Sequence, residues 1–265
     1  MDGQMDAGSD TVNGCARSLH SRPDRRAARH HAGGDGAASG GGSWPARAAK
    51  HALVLPRQAR ADFLKKTGHA AEQDRPDVYE RRLSWFEHQP DLDPERLVFI
   101  DESGVSTKMA RLYGRSPKGE RCRAPIPHGH WKTITFTAGL RLNGIAAPAL
   151  VDGAINGETF VTCVSGMLVR ELKPGDIVVM DNLPAHKVAG VREAIEAVGA
   201  SLLYLPPYSP DFNPIEKAFS KLKALLRKAA ARTVDDLYQA VADAIDAFTP
   251  AECANYFAAC GYDLD

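Results

Sequence analysis

The chain lacks most of the features that assign a protein to a class at first reading. Its 265 residues contain no run of about 18 apolar residues, and the N-terminus has no continuous apolar stretch. Neither a membrane span nor a secretory leader is therefore expected. The five cysteines, at 15, 122, 163, 253 and 260, are odd in number, scattered, and include no Cys-x-x-Cys pair. That excludes a disulfide framework and a paired-thiolate zinc site, and points to a reducing, cytoplasmic compartment. Charge of one sign is also missing: 33 Lys and Arg balance 33 Asp and Glu. A polyanion partner is not announced by bulk electrostatics and would need a local basic face. Gly114-Arg115-Ser116-Pro117-Lys118-Gly119 lacks the Gly-Lys-Ser/Thr ending of a phosphate-binding loop. Ser103 and Ser209 have no His and acid at a readable nucleophile spacing, and His128-Gly129-His130 has no third metal ligand nearby.

What is present divides the chain in two. The first sixty residues carry a Gly-, Ala-, Arg- and His-rich tract from Arg22 to Lys50 with neither helical nor strand periodicity. Such a segment buries too little apolar surface to offset its chain entropy, and residues 1–62 are expected to be disordered. Residues 63–94 read as a linker with one helix from Pro76 to Gln89, broken by Pro90-Asp91-Leu92-Asp93-Pro94. From 95 to 265 the pattern is regular. Strands are expected at Leu97–Asp101, Lys132–Leu140, Gly144–Asp152, Asp176–Asp181 and Ser201–Leu205, with Asn143-Gly144 as a hairpin turn. Helices are expected at Glu158–Glu171 and Val188–Val198, and from near Asn213, Thr233 and Thr249. A meander followed by alternating strands and helices predicts an α/β domain with a mixed sheet.

Acids stand at the ends of these elements. Asp101 and Asp181 each close an apolar strand, and Glu216 opens the helix after a third. Alternation puts Asp101 with Phe99 and Asp181 with Val179, whereas Glu102 faces the other way with Ile100. Each acid has an ordinary explanation: a strand-end turn for Asp101 and Asp181-Asn182, and for Glu216 the N3 position of a capping box behind Asn213 and Pro214. On local pattern alone the cap is the better reading of Glu216. Taken as a set, three carboxylates converging at one sheet edge are what a two-metal phosphoryl-transfer site requires, since hard cations are held by few carboxylates plus water and phosphate oxygens. Beyond Glu216 the helix sets Ile215, Phe219, Leu222 and Leu226 on a buried stripe, with Lys217, Lys221, Lys223 and Arg227 beside it. That ridge reads equally as a phosphate-binding face or as a solvated face complementing the helix dipole. Arg111 and Arg115, in a basic tract with Tyr113, and Lys132 are further candidates for nucleic-acid contact. His186 is either a hydrogen-bonding partner of substrate or carboxylate, or a surface-helix residue.

Together, Phe99-Ile100-Asp101-Glu102-Ser103, Val179-Met180-Asp181-Asn182 with His186, and Tyr204 through Pro206-Pro207-Tyr208-Ser209-Pro210-Asp211-Phe212-Asn213-Pro214-Ile215-Glu216 resemble the Asp-Asp-Glu transposases of bacterial insertion sequences in the mariner-like superfamily. The 34 residues between Asp181 and Glu216 match that superfamily's spacing. The likeness runs from about residue 65 to 263 and includes His128 to Thr133 and Glu252 to Phe257. It implies a ribonuclease-H-like, retroviral-integrase-like fold. Asp101, Asp181 and Glu216 would hold two Mg²⁺ or Mn²⁺ ions, supported by Asn182, His186 and Asn213. It also implies metal-dependent cleavage at transposon ends, strand transfer into target DNA, and a homodimer in the active complex. The family normally carries a helix-turn-helix region before the catalytic domain, and residues 1–62 stand in its place. A truncated or frame-shifted copy without end recognition is the expectation, with a silent DNA-binding remnant and a ribonuclease-H-like nuclease as alternatives.

Overall fold

The computed structural model describes residues 17–18 and 70–263. Most of the segment expected to be disordered therefore lies outside the described residues. Its one described piece is a two-residue strand, β1 (Arg17–Ser18), paired antiparallel to Leu150 and Ala149.

The expected linker helix is present as α1 (Pro76–His88), with Pro76 at its first position. The apolar run after it becomes β2 (Leu97–Ser106), longer than expected because alternation continues beyond Asp101. β3 (Thr133–Arg141) and β4 (Gly144–Asp152) form the antiparallel meander. The turn between them falls one residue earlier than Asn-Gly suggested. Leu142 and Asn143 occupy it, and Gly144 is already paired with Arg141, at a φ of 146° that favours glycine. β3 and β4 slip register between Thr137 and Gly139. There Ala147 takes a positive φ beside Pro148, which cannot donate to the ladder.

The expected helix at 158–171 is α2 (Gly157–Cys163) and α3 (Val169–Glu171), joined by a π-helical turn over Val164–Leu168. β5 (Ile177–Met180) follows. The helix expected from Val188 begins later, as α4 (Val191–Glu196), because Pro184–Lys187 forms a separate 3₁₀ turn and Gly190 has a φ of 98°. β6 (Ser201–Tyr204) precedes α5 (Pro214–Ala229), α6 (Val234–Ile245) and α7 (Pro250–Ala258). Thr233 and Thr249 cap the last two as their sequences indicate, each accepting from a backbone N–H three residues on.

The sheet order is β1-β4-β3-β2-β5-β6, antiparallel through β2 and parallel from β2 to β6. Its two faces carry separate cores. Phe99 and Val179 pack with Ile215, Phe219 and Leu222 of α5 and with Phe257 of α7. Val98, Ile100, Val178 and Met180 pack on the other face with Phe160 and Val191. Among the described residues, no helix is long and apolar enough to cross a membrane.

Candidate active site

Strand pairing brings the first two acids together. Phe99 stands opposite Val179 in the parallel β2–β5 pair, so Asp101 and Asp181, each two residues further on, leave adjacent strands side by side on one face. Asp101 also pairs with Ala138, at the register slip between β3 and β4. Pro214 at the first position of α5 starts that helix where Glu216, in its first turn, reaches the same place. Asp101, Asp181, Asn182, Asn213 and Glu216 line one cleft of about 390 Å³, walled by Pro206-Pro207-Tyr208-Ser209-Pro210.

The capping explanation for Glu216 does not hold. Asn213 makes no side-chain cap; it is 3% exposed, and its Nδ2 donates to Asp101 Oδ2 at 3.1 Å. Asp101 Oδ1 accepts from the Glu102 N–H at 2.8 Å. Asp101 is 8% exposed, and burial pushes its pKa up to about 7. The Glu102 amide opposes that rise, while repulsion from Glu216, Asp181 and Glu102 adds to it.

Asp181 is held from behind. Its Oδ1 accepts from the Leu183 N–H at 3.1 Å and lies 2.6 Å from His186 Nδ1. The imidazole contact is a close ion pair, off the axis of a directed hydrogen bond. His186 is not a surface residue: it is 1% exposed, and its Nε2 lies 3.0 Å from both carboxylate oxygens of Glu102. Burial works against a charged ring, but Asp181 and Glu102 outweigh it and hold His186 at about 10. The ring is thus an imidazolium at neutral pH.

Two contributors were invisible in the sequence. Alternation sets Glu102 on the face opposite Asp101 but gives it no partner there; the only hint is its place beside Asp101. Arg82 of α1 ties down the cleft wall, donating to Ser209 Oγ at 2.7 Å and to both Asp211 oxygens at 2.9 and 2.7 Å. Nothing local to Arg82 signals that role.

None of the expected cations lines this cleft. Lys221 is paired with Glu252 at 2.7 Å, donates to the Ala247 carbonyl at 2.8 Å, and sits over the Phe248 ring, so it fastens α5 to the C-terminal helices. Lys217, Lys223 and Arg227 are half-buried along α5. Arg111, Arg115 and Lys132 are exposed in the long connection between β2 and β3.

The donor set suits a hard divalent cation. It consists of carboxylates around a cleft, with the buried Asn213 Oδ1 lacking a partner next to Asp101. The carboxylates do not form a closed cage. Among the described residues, no three His, Cys, Asp or Glu side chains are grouped as one metal ion requires. Glu216 is exposed at the cleft, and one Asp181 oxygen faces His186.

Comparison with known proteins agrees with this geometry. The family model described as DDE superfamily endonuclease matches residues 96–238, more than half of the chain. No curated protein sequence matches. Among solved structures, the Mos1 transposase paired-end complex with left transposon end is similar, with a TM-score of 0.55 and 16% identity over 76% of this chain and 68% of that one. The Mos1 strand transfer complex gives 0.54 and 18%, over 74% and 62%. The Mos1 mariner paired-end complex with Mn gives 0.55 and 18%, over 76% and 63%. The chain spans about two thirds of the length of these relatives, and at such identities the shared property is the fold. With a ribonuclease-H-like mixed sheet, acids lining one cleft beside it and a matching family model over its core, the chain belongs to the DDE superfamily endonucleases.

Proposed function

We propose that this protein is a DNA transposase whose cleft binds two Mg²⁺ or Mn²⁺ ions through Asp101, Asp181 and Glu216. The observation that carries this reading is the convergence of those three side chains on one cleft. The similar Mos1 structures, described with a transposon end and with Mn, support DNA as substrate and a divalent metal as cofactor. Bound cations supply the positive charge that an in-line phosphodiester displacement needs at its attacking and leaving oxygens.

The chain's own residues prepare the site. Asn213 and the Glu102 N–H fix both oxygens of Asp101. The Leu183 N–H and His186 fix one oxygen of Asp181, and neither contact involves its Oδ2. Glu216 enters from the first turn of α5, whose N-terminal dipole also favours a phosphate nearby. Arg82 holds the Ser209–Asp211 wall against which a strand would lie. Lys217, Lys223 and Arg227 on α5, with Arg111, Arg115 and Lys132 on the β2–β3 connection, are the cations we assign to the DNA backbone. Action on DNA in the cytoplasm, as a homodimer, follows from the same reading.

The test is cleavage and joining of end-labelled DNA by the purified protein with Mn²⁺. Nicking followed by strand transfer is expected, and Asp181→Asn should reduce both by at least about 10³-fold, as expected on losing the principal electrostatic support of the reaction. Activity that survives Asp181→Asn excludes the site. Nicking without joining replaces the transposase reading with a nuclease, and no metal-dependent chemistry at all leaves a silent remnant.

A further inference from the structure

We infer that Glu102, acting through His186, is a positioning residue for Asp181: a carboxylate–imidazole–carboxylate brace that sets one oxygen of Asp181 and presents the other to the metal. The inference rests on the reading of Asp181 as a metal ligand.

Asp181 needs such support because β5 ends at Met180, leaving the carboxylate just outside the sheet ladder. Its Oδ1 is occupied by the Leu183 N–H at 3.1 Å and by His186 Nδ1 at 2.6 Å. The imidazole is itself immobile. Its far nitrogen lies 3.0 Å from both Glu102 oxygens, and its ring lies 4.4 Å, centroid to centroid, from that of Phe160. Its backbone carbonyl accepts from the Tyr204 hydroxyl at 3.0 Å. A histidine serving only to fill the core would not need both ring nitrogens turned to carboxylates, which are costly to bring toward a buried site unless paired. The arrangement also explains the two consecutive acids midway along β2. Asp101 faces the cleft, while Glu102, on the opposite face, supports the carboxylate of the neighbouring strand. Residues that orient ligands in this way typically contribute on the order of 10- to 100-fold to metal affinity.

The discriminating measurement is the Mn²⁺ dissociation constant of the full chain, determined by calorimetry. It would compare wild type, Glu102→Gln, His186→Asn, the double variant and Asp181→Asn, with thermal unfolding recorded for each. Glu102→Gln, at a half-buried position, is expected to fold and to weaken Mn²⁺ binding by about 10-fold or more. Because Glu102 acts through His186, the double variant should bind no more weakly than His186→Asn alone. Unchanged Mn²⁺ affinity in Glu102→Gln, or fully additive losses in the double variant, overturns the brace. If His186→Asn fails to fold, the Glu102→Gln affinity decides alone. Binding that survives Asp181→Asn overturns the metal reading itself, and the inference with it.

Discussion

Two aspartates at opposite ends of the same part of the sheet show how one residue type takes on two roles. Asp176 lies just before β5 and Asp101 midway along β2, and both are buried. Asp176 meets the Arg141 guanidinium at 2.5 Å and the Lys173 N–H at 2.7 Å. Burial works to raise its pKa, but these partners outweigh it and hold the carboxyl below the usual range. Asp101 has an amide on each oxygen, but burial, with repulsion from Glu216, Asp181 and Glu102 added to it, moves its pKa the other way. A buried acid matched by a fixed cation holds the fold together. A buried acid surrounded by other acids costs stability and is explained by a cation that comes from outside.

The contrast can be broken most sharply at Asp176. Asp176→Asn leaves the largely enclosed Arg141 guanidinium without its counter-charge and should lower stability by about 3 kcal/mol at pH 7, read from chemical denaturation. Because the folded-state pKa of Asp176 is depressed, its contribution is complete above the ordinary carboxylate value of 3.8 and is lost as the pH falls through the lower folded value. The gap between wild type and variant should therefore close in acid. A gap that stays constant from neutral pH to well below that value would show that the ion pair is not its source. A smaller effect of opposite sign is expected at the other end. Asp101→Asn removes a buried like charge and should raise stability by about 1 kcal/mol while abolishing cleavage. A loss of stability there would make Asp101 a structural residue like Asp176.

Much of this was legible in the sequence where the deciding physics is local. Alternation sets Asp101 with Phe99 and Asp181 with Val179, and the β2–β5 register then brings the two acids to one face; Pro214 marks the start of α5, and Thr233 and Thr249 give the last two helix starts. What local pattern leaves open depends on distant partners. Asn213 looks like an N-cap because Asn-Pro-x-Glu is a cap pattern, yet its amide is drawn to Asp101, 112 residues away. For His186 the sequence leaves a carboxylate partner and a place on a surface helix equally open, and the first holds: its ring meets Glu102, 84 residues away. Spacing gives the basic ridge on α5 but carries no sign that Glu252 takes up Lys221. The π-helical turn between α2 and α3 has no signature that periodicity detects.

The central claim is that the cleft between Asp101, Asp181 and Glu216 is a divalent-metal site. Crystals grown with Mn²⁺, measured at the manganese absorption edge, test it most directly. The account predicts anomalous density within coordination distance of Asp101 and Asp181, with Glu216 turned inward from its exposed position and His186 still in contact with Asp181. Manganese bound only elsewhere, or a cleft that stays free of it at millimolar concentration, would contradict the account.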